Sequence, residues 1–119
     1  MKDALISLEG KTITLVLYGQ DLRAGFGTLI QISSIYLGID IQKGEDCVVF
    51  VSKNRLLCKI IFCDSKGSTL ITRKLHEGKF EQFMAEVNSK PQKKLTPQEL
   101  IKFLNGQRLM CLQKSIYKS

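Results

Sequence analysis

The sequence has no tryptophan, one histidine and no apolar run near the roughly 18 residues that a membrane helix requires. Its first residues, Met1-Lys2-Asp3-Ala4-Leu5, lack the apolar core and cleavage site of a signal peptide, so the expected compartment is the cytosol, with no membrane partner. The lone histidine, His76, sits beside Glu77 at a strand end and pairs with no particular cysteine or serine, which leaves nucleophilic catalysis without a base. Cys58 and Cys63 are five apart on one strand and point to opposite faces, so a four-ligand zinc site is not expected. The acidic residues are scattered, without the pair or triad that magnesium-dependent strand transfer needs. No RNP-type motif is present. In Ala24-Gly25-Phe26-Gly27-Thr28-Leu29-Ile30 the third glycine of a dinucleotide fingerprint would fall at Ile30, and the two glycines read as lying inside a helix, there to admit a close neighbour. These absences predict no catalytic residue, no metal, no cofactor and no small-molecule substrate.

What is there is a chain of 119 residues, 44% apolar and 24% charged, the proportions of one globular domain. Residues 1–106 read as that domain and 107–119 as a tail. Cys47, Cys58, Cys63 and Cys111 read as small hydrophobes kept as thiols by a reducing compartment. The net charge of +7 is uneven: residues 52–94 hold 10 Lys/Arg against 4 Asp/Glu, while residues 1–51 hold 4 against 6. A basic centre of this kind suits phosphates, and equally a solvated surface.

The β-branched run Thr12–Tyr18, stopped by Gly19, predicts a buried strand. Leu22, Phe26, Leu29, Ile30, Ser33 and Leu37 recur at helical spacing, predicting a helix from Asp21, its expected N-cap, to Gly38. Cys47–Ser52, Arg55–Cys63 and Ser68–Leu75 predict an antiparallel meander, and Phe80–Met84 a further short strand. The polar stretch Ala85–Lys94 reads as a loop. In Leu95-Thr96-Pro97-Gln98-Glu99-Leu100, Thr96 can cap, Pro97 suits the first helical position, Glu99 can return to the cap and Leu95 can staple to Leu100, so a helix is expected over Pro97–Leu104. The expected fold class is α+β: an antiparallel sheet of four or five strands in the order β-α-β-β-β-α, with one sheet face left open.

The central hairpin turns at Asp64-Ser65-Lys66-Gly67. A type I turn with a left-handed glycine bulge would put Arg55, Lys59 and Arg73 on one face and Leu56, Cys58, Ile60, Phe62 and Leu70 on the other; a two-residue turn would bring Lys74 beside Lys59 instead. Either way several cations share a sheet face that could follow a phosphate backbone.

The ordered set Asp21-Leu22-Arg23-Ala24-Gly25-Phe26, Val49-Phe50-Val51-Ser52-Lys53, Lys59-Ile60-Ile61-Phe62-Cys63-Asp64 with Gly67, Arg73-Lys74-Leu75-His76-Glu77-Gly78-Lys79-Phe80 and Leu95-Thr96-Pro97-Gln98-Glu99-Leu100 resembles the accessory protein TnpB of the insertion-sequence-66 group, over about residues 12 to 106. Departures thin its basic surface. Ala24 stands where the family has lysine, Leu57 where it has arginine, and Cys63 where it has tryptophan. The resemblance implies a product of a bacterial mobile element, encoded beside a separate acidic-triad transposase, that supports transposition without cutting DNA. From the basic hairpin, DNA is the expected partner, through phosphate contacts from Arg23, Lys53, Arg55, Lys59, Arg73 and Lys74. The alternative is an adaptor in which the first helix and the tail from Arg108 to Tyr117 dock on the transposase.

Overall fold

A computed structural model describes residues 8–83 and 91–109. The element order is β1 (Thr12–Val16), α1 (Phe26–Leu37), a 3-10 turn (Ile41–Lys43), β2 (Asp46–Val51), β3 (Leu57–Cys63), β4 (Ser68–Lys74), β5 (Gln92–Leu95) and α2 (Pro97–Leu104). The strands form one sheet in the order β4-β3-β2-β1-β5. The α+β class holds, with α1 between the first strand and the meander and a short second helix near the C-terminal end. β2, β3 and β4 are the antiparallel meander, and β5 runs antiparallel to β1. The β1–β2 pair is parallel, because the chain crosses over through α1 before returning to the sheet.

Both faces of the sheet are covered, because the strands bury both sets of alternating residues. On one face Val16, Val48, Phe50 and Ile61 pack with Leu22, Leu29, Leu37 and Ile41 from α1 and its flanks. On the other Ile13, Leu15, Cys47, Val49, Cys58, Ile60 and Phe62 pack with Leu100, Phe103 and Leu104 of α2 and with Phe80 and Phe83. Phe80 stacks on Phe103 at a centroid distance of 5.2 Å. The open face expected from the sequence is therefore occupied by α1.

α1 starts at Phe26, five residues after the expected cap. The Asp21 carboxylate is spent on a tight local turn, accepting from the Arg23 backbone N–H at 3.1 Å, and Gly25 is the N-cap. The close packing expected at Gly25 and Gly27 is absent: a Cβ at either position would meet nothing within 4 Å. Gly38 ends the helix in the left-handed conformation as expected. α2 has the foreseen bounds and capping box, with Glu99 N–H donating to Thr96 Oγ1 (3.1 Å) and Thr96 N–H to Glu99 Oε1 (2.9 Å).

Two further local expectations fail. Phe80–Phe83 are not a strand; their aromatic rings pack against α2 instead, and Met84 lies outside the described residues. Gln92–Leu95, expected in a loop, form β5, while Ala85–Lys90 lie outside the described residues. The sequence hides this strand because its lysines lie against neighbours by their stems and heads. Lys94 Nζ donates to the buried Thr14 Oγ1 at 2.7 Å, and Lys93 Nζ lies 5.5 Å from the centre of the Phe83 ring. Past Gly106 the chain stays on the domain to Leu109, which is buried and whose N–H donates to Glu81 Oε1 at 2.5 Å. Residues 110–119, with Cys111 and most of the expected tail, lie outside the described residues.

Candidate nucleic-acid interface

Strand directions bring most of the expected cations to one end of the sheet. Gln20 bridges Ser52, Ser52 N–H donates to Leu57 O at 2.9 Å, and Leu57 pairs with Lys74, so these four residues form the last rung across β1, β2, β3 and β4. At about 4.8 Å per strand the rung is roughly 15 Å wide. Just beyond it project Asp21–Arg23 on one side and the turn Lys53-Asn54-Arg55-Leu56 on the other.

That turn is built by hydrogen bonds. Asn54 Oδ1 accepts from Ser52 Oγ (2.7 Å) and Leu56 N–H (3.1 Å), Ser52 Oγ accepts from Leu57 N–H (3.1 Å), and Arg55 N–H donates to Ser52 O (2.9 Å). Arg55 takes the left-handed conformation, φ 61°, which costs a residue with a Cβ roughly 1–2 kcal/mol. Gly19, three residues past β1, lies directly under the turn: a Cβ there would sit 2.7 Å from Lys53 Cα. Gly19 thus lets the segment carrying Arg23 and the turn carrying Lys53 approach closely.

The six candidates divide by what they already hold. Arg73 donates through Nε to Leu104 O (2.7 Å) and through Nη2 to Asn105 Oδ1 (3.2 Å), satisfying the carbonyl end of α2 where a cation also suits the helix dipole. Lys59 is half-buried, with Nζ donating to Ala24 O at 3.1 Å, and ties the segment before α1 to the sheet. Arg23 is exposed but forks onto Asp21, Nη2 to Oδ2 at 2.6 Å and Nε to Oδ1 at 3.0 Å. Hydrogen bonds from Arg23 hold the Asp21 carboxyl well below the usual carboxylate range. Lys53 and Lys74 are exposed and make no hydrogen bond or ion pair among the described residues; Arg55 is half-buried beside them.

The hairpin takes the second of the two expected registers, with Asp64 opposite Gly67 and Lys74 rather than Arg73 on the side of Lys59. Cys63 pairs with Ser68 across a four-residue turn in which Asp64 Oδ1 accepts from Lys66 N–H (2.8 Å) and Gly67 N–H (3.0 Å), and Gly67 has no positive φ. Lys59 therefore faces Thr72 and shares its side of the sheet with Lys74 and Leu70, while Arg73 lies on the opposite side with Cys58. Arg55, in its left-handed turn, falls outside the strand alternation. The cations gather at an end of the sheet, not on a face.

Sequence reasoning missed Lys79 here. It is exposed and adjoins Phe80, whose N–H donates to Arg55 O at 2.8 Å, so the chain returns to this end after β4. Only that long-range bond reveals it. The opposite end carries Glu9, Asp40, Glu45, Asp46 and Asp64; of its lysines, Lys11 is drawn inward onto Gly44 O and Cys63 O (2.9 Å to the latter).

Burial raises the Cys47 thiol to about 12 and pushes Cys58 up as well, so neither is a nucleophile at neutral pH. Among the described residues no group of three or more His, Cys, Asp or Glu could hold a metal, and no helix is long and apolar enough to cross a membrane. No curated protein and no solved structure matches the chain. The family described as IS66 Orf2 like protein matches residues 11–114, most of the chain and every element above. The chain therefore belongs to the IS66 Orf2-like family, whose members are associated with transposition.

Proposed function

We propose that this chain is a non-catalytic accessory protein of DNA transposition that holds DNA by phosphate contacts from the cation-bearing end of its sheet. One observation carries the reading: Lys74 on the last rung and Arg23, Lys53, Arg55 and Lys79 beyond it lie at one end of the sheet, and Lys53 and Lys74 are exposed. A DNA duplex presents one charge per roughly 1.7 Å of its axis, so a span of this width faces several phosphates at once. Flexible ammonium groups at the rim suit point contacts to a backbone more than the reading of base edges. Lys53 and Lys74 carry the binding, Arg55 and Lys79 add to it, and Arg23 joins when a phosphate competes with Asp21. Lys59 and Arg73 act through the fold, by holding the α1 segment and α2 in place. Fluorescence anisotropy with labelled element-end duplex tests this: Lys53→Glu with Lys74→Glu should weaken binding at least about tenfold at moderate salt. Equal affinity for the variant and the parent would remove the proposal.

A second reading, an adaptor that docks on the transposase, has its own observation. From Ala24 to Ile39 there is no charged residue, yet Ile35 and Tyr36 on the outside of α1 are 73% and 65% exposed. If that surface alone carries function, Ile35→Lys abolishes support of transposition while the lysine reversals leave it unchanged.

A further inference from the structure

The two edges of the sheet are finished differently. β5 is four residues long, follows Pro91 and carries Lys93 and Lys94, the usual ways of blunting a strand edge. β4 is seven residues long, pairs with β3 along its whole length without a bulge, and contains no proline. Two bonds fix which of its backbone groups face outward. Leu75 N–H donates to Leu56 O and Asp64 N–H to Gly67 O, both in the β3–β4 register, so Thr69, Ile71 and Arg73 bond to β3. Ser68, Leu70, Thr72 and Lys74 therefore point their N–H and C=O groups away from the sheet. No backbone partner takes them among the described residues.

We propose that β4 pairs with β4 of a second copy, antiparallel about a two-fold axis through Ile71, joining two sheets into one. The sequence of the strand is self-complementary in that register. Ser68 meets Lys74 of the other copy and Leu70 meets Thr72, so every outward residue faces another outward residue and forms a hydrogen-bonded pair. Arg73 falls opposite Thr69, and no cation opposes a cation. A register shifted by four would set Arg73 against Arg73. The two Leu70 side chains, 39% exposed in the single chain, become diagonal neighbours across the axis and cover one another. The cation-bearing ends then lie at opposite extremes of the joined sheet, so the dimer offers two separate sites for duplex. The contact is smaller than the roughly 1,200 Å² of standard interfaces, so association depends on concentration.

Sedimentation equilibrium of the full chain over a concentration series tests this, with circular dichroism reporting the fold. The wild type should fit a monomer–dimer equilibrium. Thr72→Pro removes an outward N–H without touching the β3 ladder, and Leu70→Lys places like charges across the axis; each should weaken association at least about tenfold with an unchanged spectrum. Ile71→Cys, in a Cys111→Ser background, should form a disulfide dimer on oxidation, because a non-hydrogen-bonded antiparallel pair sets the Cα atoms about 4.5 Å apart. A wild type that stays monomeric to its solubility limit overturns the proposal. So does a dimer that both variants leave intact, or one lost instead on Ile35→Lys.

Discussion

The two ends of the sheet are built from the same strands and carry opposite charge. At one end the loops and strand ends hold Arg23, Lys53, Arg55, Lys74 and Lys79; at the other they hold Glu9, Asp40, Glu45, Asp46 and Asp64 against Lys11, Lys43 and Lys66. Alternation along a strand sorts side chains between faces, but loop composition sorts charge between ends. The overall +7 therefore does not show how charge is divided between the two ends, of which the acidic one would turn away from a polyanion. On the proposed reading, such a charge distribution would orient the molecule toward a DNA backbone.

The largest expected effect that would break this comparison is on the fold. Arg73→Ala leaves Leu104 O and Asn105 without their charged donor, and chemical denaturation should show a loss of about 1.5–3 kcal/mol. The same change in stability should appear without any DNA present. Next comes Gly19→Ala, which forces a Cβ against the Lys53 backbone; a loss of about 1–3 kcal/mol is expected, with weaker DNA binding because the Lys53 turn is displaced. Thr96→Ala, at the acidic end, should cost about 1 kcal/mol by removing the cap and leave DNA affinity unchanged.

Smaller still is the effect of Asp21→Asn. It frees the Arg23 guanidinium from its carboxylate and removes a negative charge from the basic end, so anisotropy should show DNA affinity rising a few-fold. A fall would mean that Asp21 positions Arg23 for contact. The buried Cys47 sharpens the account at high pH. Its folded thiol ionises near 12 and an exposed one near 9.0, so the unfolded chain releases its proton first and stability falls as pH rises between those values. Cys47→Ala should lessen that alkaline slope in denaturation curves.

Much of the fold was legible because its signals are local. The cap, proline and staple at Leu95–Leu100 marked α2 to the residue, and the β-branched runs marked β1 to β4. The register of the hairpin was legible only as two alternatives, of which the one that sets Lys74 on the side of Lys59 holds. It depends on whether Gly67 turns left-handed, and two N–H bonds to Asp64 Oδ1 hold a different turn. β5 was concealed because Lys93 and Lys94 find partners, Phe83 and Thr14, that are remote in sequence. The candidate cations were legible as a group but not by role. Arg73 and Lys59 read like surface charges, and only the positions of Leu104 O and Ala24 O reveal that they bind the fold together. Reversing those two would therefore damage the protein before testing its function, whereas Lys53 and Lys74 can be changed without touching a hydrogen bond.

The most direct test is the salt dependence of DNA binding measured at both ends of the sheet. Lys53→Gln with Lys74→Gln should reduce the slope of log affinity against log salt by about 2, close to one for each phosphate that is no longer neutralised. Lys43→Gln with Lys66→Gln, at the acidic end, should leave it unchanged. A slope that is the same in all three proteins, or that falls only in the acidic-end variant, would contradict the assignment of DNA contact to the basic end.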